Sequence, residues 1–387
     1  MERRLLVSAV RRGLSQRAAA QRWGVPLSTV QHWLRRAGDQ RLDRVDWNDQ
    51  LSSPKSVSRT TAKAEARVLS LRDRLQRSVL GEVGAVAIRR ELLAAGVSPC
   101  PAVRTIGRIL ERNGVLDGRR RVRRPPPPKG WHIPQVIALP AELDSFDTIE
   151  GLAIRDGAHL TVLTVTSLLG GVPGAWPRVT IAATDVVSFL VEHWGLWGLP
   201  MFAQFDNDNR FTGPRQFPDA IGRVIRLCLS LGVTPIFAPP NEVGFQAAIE
   251  SFNGLWQAKV WQRFEHPTLK SLKYRSSLYI AALQQRRASR ISEAPTRKPF
   301  PNDWTLDLQA KLRGRIIFIR RTSANGQATV LGRTHDVDSK WVHRLIRAEV
   351  DLDLHVINFF ALRRRQHDQQ PLLATAEYVL PQKGFRE

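Results

Sequence analysis

Leu199-Pro-Met-Phe-Ala-Gln-Phe205 is a short apolar run that ends on Asp206, and Glu250 follows 250 − 206 = 44 residues later in a segment of different periodicity. The run reads as a buried strand closed by a carboxylate. Around Glu250, the residues Ile249, Phe252, Trp256 and Val260 recur at intervals of three, four and four, which is one face of a helix. Glu250, Asn253 and Gln257 then share the neighbouring polar stripe. A carboxylate at a strand end and another on a helix stripe suit hard divalent cations, which take oxygen ligands and keep several waters. Such a site needs a third acid. Ala141-Glu-Leu-Asp-Ser-Phe-Asp-Thr148, another strand-like run, supplies candidates. Taken singly, Asp and Glu are mostly surface charge or helix caps; here three coincide with an ordered series of strand, strand and helix.

Charge is segregated along the chain. The 387 residues carry 58 − 35 = +23 formal charges, which predicts a polyanionic partner. Residues 1–130 hold 28 − 11 = +17, residues 131–270 hold 9 − 13 = −4, and residues 271–387 hold 21 − 11 = +10. Scattered surface charge does not explain that division. Basic flanks holding phosphates around an acidic, cation-binding centre do. Two cysteines exclude a disulfide framework or a Cys-rich zinc site. No apolar run backs the basic N-terminus, and no stretch approaches the roughly 18 apolar residues of a membrane span. A soluble cytoplasmic protein is expected, with no membrane partner.

The N-terminal third reads as two helical DNA-binding units. Ser15 caps a helix, Trp23-Gly24-Val25-Pro26 breaks it, and Ser28 opens a second one with Val30, Trp33 and Leu34 inward. That leaves Thr29, Gln31, His32, Arg35 and Arg36 outward, as a recognition helix in the major groove requires. A plain helical hairpin is the bland alternative, disfavoured by the local arginine excess. Helices are then expected from Val68 to Leu80, Gly84 to Leu93 and Ala102 to Asn113. The last has Val103, Ile106, Ile109 and Leu110 inward, and Arg104, Thr105, Arg108 and Arg112 as an outward stripe. After it, Arg119, Arg120, Arg121, Arg123 and Arg124 precede four prolines, an extended strap suited to lie along phosphates.

The acid-bearing segments resemble the DDE catalytic core of integrase-type transposases of bacterial insertion sequences, a superfamily shared with retroviral integrases. Asp206-Asn-Asp-Asn-Arg-Phe211 is similar to that family's D-N-G-x-x-F segment, with Asp208 in place of the glycine. Thr234-Pro-Ile-Phe-Ala-Pro-Pro240 leading to Glu250-Ser-Phe-Asn253 resembles the family's approach to its glutamate helix. The interval between the two acids is longer than the family's commonest one, and Phe211 to Pro218 is a Pro- and Gly-bearing loop that accommodates the surplus. The position seven after the glutamate, often basic in the family, is Gln257, and Lys259 is the nearest base.

The resemblance implies an RNase H-like fold. The order agrees: strands at 141–148, 151–155, 159–167 and 178–182, a helix from Thr184 to Trp194, the Asp206 strand, a helix from Asp219 to Leu231, a strand from Val233 to Phe237, then the Glu250 helix. A basic amphipathic helix is expected from Arg275 to Arg290, and a β-rich tail with an Asn325-Gly326 hairpin turn follows. The whole is a multidomain α+β chain. It comprises a helix-turn-helix at 1–40, a second, winged-helix-like one at 61–117, an Arg/Pro linker at 118–135, the core at 136–295, and a small SH3-like β-barrel at 296–387.

By the same resemblance the first acid maps to Asp144, with Asp147 as the alternative, so that Asp144, Asp206 and Glu250 hold two Mg²⁺ ions, or Mn²⁺. The implied activity is cleavage at transposon 3′ ends and joining to target DNA. Double-stranded DNA and at least one further copy of the chain are the implied partners, with accessory proteins beside them and a nucleoid-associated bacterial setting. Asn253, Gln257, Lys259, Arg320, Arg321, Arg363 and Arg364 complete the expected DNA contacts.

Overall fold

The computed structural model describes residues 2–49, 60–116, 129–138, 141–155, 157–214, 217–240, 242, 244–381 and 385. The arginine strap with Arg119, Arg120, Arg121, Arg123 and Arg124 lies outside the described residues. The chain forms two compact units, Met1–Ala64 and Glu65–Glu387.

The first unit contains α1 (Arg3–Arg11), α2 (Gln16–Trp23) and α3 (Leu27–Ala37). The Ser15 hydroxyl accepts the Ala18 N–H and so satisfies one of the orphan donors at the start of α2. Gly24, at φ 63°, ends that helix in the left-handed region and turns the chain into α3. Leu6, Val7, Ala19, Val30, Trp33 and Ala37 close the small core.

The second unit opens on α4 (Ala62–Arg77), α5 (Ala85–Ala94) and α6 (Val103–Arg112). Val68, Leu71, Leu75, Ile88, Leu92, Ile106, Ile109 and Leu110 pack together. Val103, expected inward, is exposed at the first position of α6, a turn before the packed stretch begins.

The elements then run α7 (Pro134–Ala138), β1 (Leu143–Ala153), β2 (His159–Ser167), β3 (Pro173–Arg178), α8 (Ala183–Trp197), β4 (Phe202–Phe205), α9 (Asn209–Thr212), α10 (Arg223–Ser230), β5 (Thr234–Phe237), α11 (Ala247–Trp256), α12 (Leu269–Arg286) and α13 (Ala288–Ser292). A five-residue π turn, Gln257–Trp261, continues α11. The expected runs at 141–148 and 151–155 are one strand, bent by a bulge between Ile149 and Leu152 where Gly151 takes φ 73°.

The tail differs from expectation. It supplies β6 (Arg315–Arg321), β7 (Gln327–Val330), β8 (Arg333–Asp336), β9 (Leu345–Asp351), β10 (Val356–Ala361) and β11 (Leu372–Glu377). Four of these do not close a separate small barrel. They extend the core sheet, giving nine strands in the order β11-β10-β9-β6-β5-β4-β1-β2-β3. The junction is the parallel pair β5–β6, with Ile236 opposite Ile317 and Phe237 opposite Phe318. Ile316 to Ile319 are all buried, as a strand covered on both faces must be. Asn325-Gly326 does turn the chain, but β7 pairs with β8 rather than with β6.

One face of this sheet carries an aromatic ladder. Phe146 of β1 stacks on Phe205 of β4 at 5.3 Å, Phe205 meets Phe237 of β5 at 6.0 Å, and Phe237 stacks on Phe318 of β6 at 5.2 Å. Trp194 of α8 lies edge-on to Phe146 on that side. On the opposite face, Ile149, Leu152 and Val162 pack with Ile249, Phe252 and Trp256 of α11 and with Tyr279 and Leu283 of α12. Among the described residues no helix is long and apolar enough to cross a membrane.

Because the ladder spans the core strands and the tail, the two should unfold together. Phe237→Ala is expected to cost about 3–5 kcal/mol. Hydrogen exchange should then speed up in β9 and β10 as much as in β1 and β4. Protection that persists in the tail strands alone would mean they fold separately.

Candidate active site

Strand alternation sorts the two acids of β1. Asp144 shares a face with Phe146, while Asp147 falls on the opposite one. The parallel register sets Asp144 opposite Ala203 and Ser145 opposite Gln204, so its continuation brings Asp147 beside Asp206 at the end of β4. Glu250 comes from the first turn of α11, where the helix dipole favours a carboxylate.

Asp206 and Glu250 both lie near enough to Asp147 for their charges to act on its carboxyl. The Asp147 pKa is raised from 3.8 to about 6, first by burial and then by the negative charges of Asp206 and Glu250. Asp147 is held by two donors: its own following N–H, from Thr148, at 2.8 Å and the Asn253 amide at 2.8 Å. Asn253, one turn beyond Glu250, accepts from the Thr164 hydroxyl of β2 at 2.7 Å. It is buried among these groups, so the outward DNA contact expected of it is replaced by the orientation of Asp147.

Asp144 stands elsewhere. It is fully buried, takes both terminal nitrogens of the Arg297 guanidinium at 2.5 and 2.9 Å, and accepts from the Trp194 indole at 3.1 Å. That bidentate pair leaves it no open side toward Asp206 or Glu250. His193 lies 3.7 Å away, and burial holds its pKa down at about 4, so it is neutral. The sequence left Asp144 and Asp147 both open because separating two acids three residues apart requires the pleat phase, which the apolar pattern around them leaves ambiguous.

The segment after β4 is braced from several sides. Asp206 accepts the Asp208 N–H at 2.9 Å. Asp208, which stands where the resembled family has glycine, caps α9 through the Arg210 N–H at 2.8 Å and grips the Arg210 side chain at 2.8 and 2.9 Å. Arg210 reaches across to Glu150 of β1 at 2.5 Å. Asn207 donates to the Ala238 carbonyl at 2.5 Å and accepts from Arg320 of β6 at 3.0 Å. Arg210 and Arg297 escaped the sequence reading. The cap signal Asp208-Asn-Arg was visible for the first, and nothing local marked the second.

The acids make an oxygen-only donor set whose members repel one another, the chemistry a hard divalent cation relieves. They are not a finished cage. Among the described residues no group of three or more His, Cys, Asp or Glu side chains is arranged to hold a metal ion. Asp147 and Asp206 each spend an oxygen on a backbone N–H.

The expected DNA contacts divide. In α3, Gln31, His32 and Arg35 are exposed and Thr29 is half-buried, while Arg36 stacks on Trp33 and pairs with Asp46 at 3.0 Å. In α6, Arg104 and Arg108 are exposed, Thr105 is half-buried, and Arg112 pairs with Glu65. Gln257 is half-buried at the start of the π turn. Lys259 donates to the Gly81 carbonyl at 2.8 Å, and Arg263 to Gln76 and Ser78 at 2.7 and 2.8 Å. These two cations fasten the C-terminal end of α4 to the core, where the helix dipole favours positive charge. Arg320 serves Asn207, Arg321 pairs with Glu242, Arg363 lies over Trp341, and Arg364 lies over Phe245.

Residues 1–43 match the family model of a homeodomain-like domain. A search of curated proteins finds no match. Among solved structures, the chain is similar to the simian T-cell lymphotropic virus intasome in complex with PP2A regulatory subunit B56 gamma, at TM-score 0.35 and 13% identity over 67% of this chain and 84% of that one. It is also similar to the catalytic core domain of BIV integrase, at TM-score 0.29 and 16% identity over 37% and 84%. A third is the HTLV-2 integrase catalytic core domain in complex with magnesium, at TM-score 0.29 and 14% identity over 38% and 87%. At such TM-scores nothing about this chain's activity follows from them.

Two stability predictions separate the acids of β1. A raised carboxyl pKa means that ionising Asp147 costs folding energy, a cost absent below pH 3.8 and complete above about 6. Asp147→Asn should therefore stabilise the chain at pH 8 by on the order of 1–2 kcal/mol, with the gain shrinking as the pH falls through 6 toward 4. Denaturant melts across that range read it, and a pH-independent effect refutes it. Arg297→Leu, by contrast, strands a buried carboxylate and should cost about 3–5 kcal/mol in the same melts.

Proposed function

We propose that this chain is a DNA strand-transfer enzyme of the transposase and integrase type, in which Asp147, Asp206 and Glu250 are the catalytic acids. What supports this reading is the placement of those three carboxylates on β1, at the end of β4 and in the first turn of α11, with the charges of Asp206 and Glu250 both acting on Asp147. Asp147 replaces Asp144 as the first acid because Asp144 is committed to Arg297. The homeodomain-like match at residues 1–43 and the basic flanks agree with a double-stranded DNA partner.

The acids would hold two divalent ions, Mg²⁺ or Mn²⁺, which when bound supply charge neutralisation at phosphorus and a more acidic attacking water. The protein's own groups do the positioning. Asn253 turns Asp147 toward its neighbours, the Asp208–Arg210–Glu150 bridge ties the Asp206 segment to β1, and Arg320 steadies Asn207. The substrate bond is a phosphodiester at an element's 3′ end, and the freed 3′-OH then attacks target DNA. Joining two ends to one target calls for at least two copies of the chain. The second helical unit packs on its own core through Lys259 and Arg263, so an end held for another copy falls to the first unit.

Asp147→Asn, Asp206→Asn and Glu250→Gln should each lower joining more than roughly 100-fold, the scale of a lost charge-stabilising group, while leaving DNA affinity intact. The assay is Mg²⁺- or Mn²⁺-dependent nicking and joining on labelled ends. Nicking without joined product would make the chain a nuclease. Neither product, with binding retained, would make it a DNA-binding protein of the same fold.

A further inference from the structure

The tail strands enclose an open groove of about 750 Å³, distinct from the acids. Arg321, Arg344, Arg363, Arg364 and Arg365 line it, and Glu242 is the sole acid among its lining residues. Five guanidinium groups against one carboxylate leave the groove strongly positive. Its aromatic wall is Trp341, with Arg344 at 4.7 Å and Arg363 at 5.5 Å from the ring centroid. Charged planar forks beside an aromatic face are the furniture of a phosphate backbone site.

Glu242 has an unusual place in it. The carboxylate accepts from the Arg321 fork, at 2.7 Å from Nε and from Nη2 as well, and its other oxygen lies 3.7 Å from Arg364. Both Arg321 nitrogens converge on one carboxylate oxygen, and a phosphodiester can offer an anionic oxygen to an arginine fork in the same way. The side chain is only 19% exposed, less than either arginine at 46%, so it sits under the cations rather than beside them. It also belongs to the connection between β5 and α11, eight residues before Glu250. Arg321 has Arg320 as its neighbour on β6, and Arg320 holds Asn207 beside Asp206. Two short links therefore join the groove to the acids, one along the chain from Glu242 to Glu250 and one through the Arg320–Asn207 hydrogen bond.

We infer that Glu242 is a built-in counter-anion that occupies the groove in place of a DNA phosphate and is displaced when duplex DNA binds there. The inference rests on the reading of this chain as a DNA strand-transfer enzyme. Until DNA arrives, Glu242 neutralises Arg321 and Arg364 and keeps the groove from gathering phosphates indiscriminately. When a phosphate takes the Arg321 fork, the carboxylate leaves, and the tie between Glu242 and β6 is released.

The test uses the full chain and a fluorescent 30-base-pair duplex of arbitrary sequence, without divalent cation, over a salt series. Glu242→Gln should tighten binding at least about threefold and steepen the salt dependence by about one phosphate contact. Arg321→Ala should weaken binding and flatten the slope by a similar amount. In the double variant the gain from Glu242→Gln should disappear, because the released fork is gone. Binding by Glu242→Gln that is unchanged or weaker overturns the inference, and so does a gain that survives Arg321→Ala. The joining assay on Asp206→Asn is independent of these outcomes. Joining that withstands Asp206→Asn sinks the catalytic reading, whereas a flat Glu242→Gln result with Asp206-dependent joining sinks only the counter-anion.

Discussion

The ladder Phe146–Phe205–Phe237–Phe318 is the contact on which the rest of the second unit depends. Each pair adds about 0.5–1.5 kcal/mol beyond the area it buries, but its larger effect is positional. Stacking across four strands selects one register, and slippage by a single residue would turn every side chain to the other face. Phe146 and Phe205 each immediately precede a carboxylate, Asp147 and Asp206. With the rings fixed on the α8 side, both acids must project toward α11 or lie at the strand end facing it. The side on which these acids stand thus follows from aromatic packing on the opposite face.

The same pleat explains why two acids three residues apart on β1 have opposite fates. Asp144 is paired, hydrogen-bonded and fully enclosed, so its charge is absorbed by Arg297 and Trp194. Asp147 has only neutral donors and two like-charged neighbours, so its charge is held at a cost. Paired and unpaired charge are thus divided between the two faces of a single strand. The Asp208–Arg210–Glu150 bridge adds cationic bracing between the segment after β4 and β1.

Most of the basic residues with defined partners serve the protein first. Arg36, Lys259, Arg263, Arg320 and Arg321 all bind carbonyls, carboxylates or amide oxygens of the chain itself. Carbonyl partners satisfy hydrogen bonds without removing charge, so such cations remain available to attract phosphates at a distance. A carboxylate partner such as Glu242 neutralises as well as binds. That difference makes the tail groove behave unlike the seam between α4 and the core.

Local periodicity in the chain was enough to place the helix-turn-helix elements, with Ser15 and Gly24 as their punctuation, and to mark the apolar strand before Asp206 and the stripe carrying Glu250 and Asn253. These are signals of neighbouring residues, settled by caps and by side-chain spacing. The sequence therefore determined which elements form and which of the later acids stand at their ends. Only the tertiary structure shows Asp144 paired with Arg297, because Arg297 is remote in the chain and no local pattern announces a partner at that distance. It also decided that the tail strands join the core sheet, since an alternating apolar strand is equally compatible with a barrel wall and a sheet interior. Pairing between distant strands, fixed here by stacked rings and by parallel register at β5 and β6, is what local spacing cannot encode.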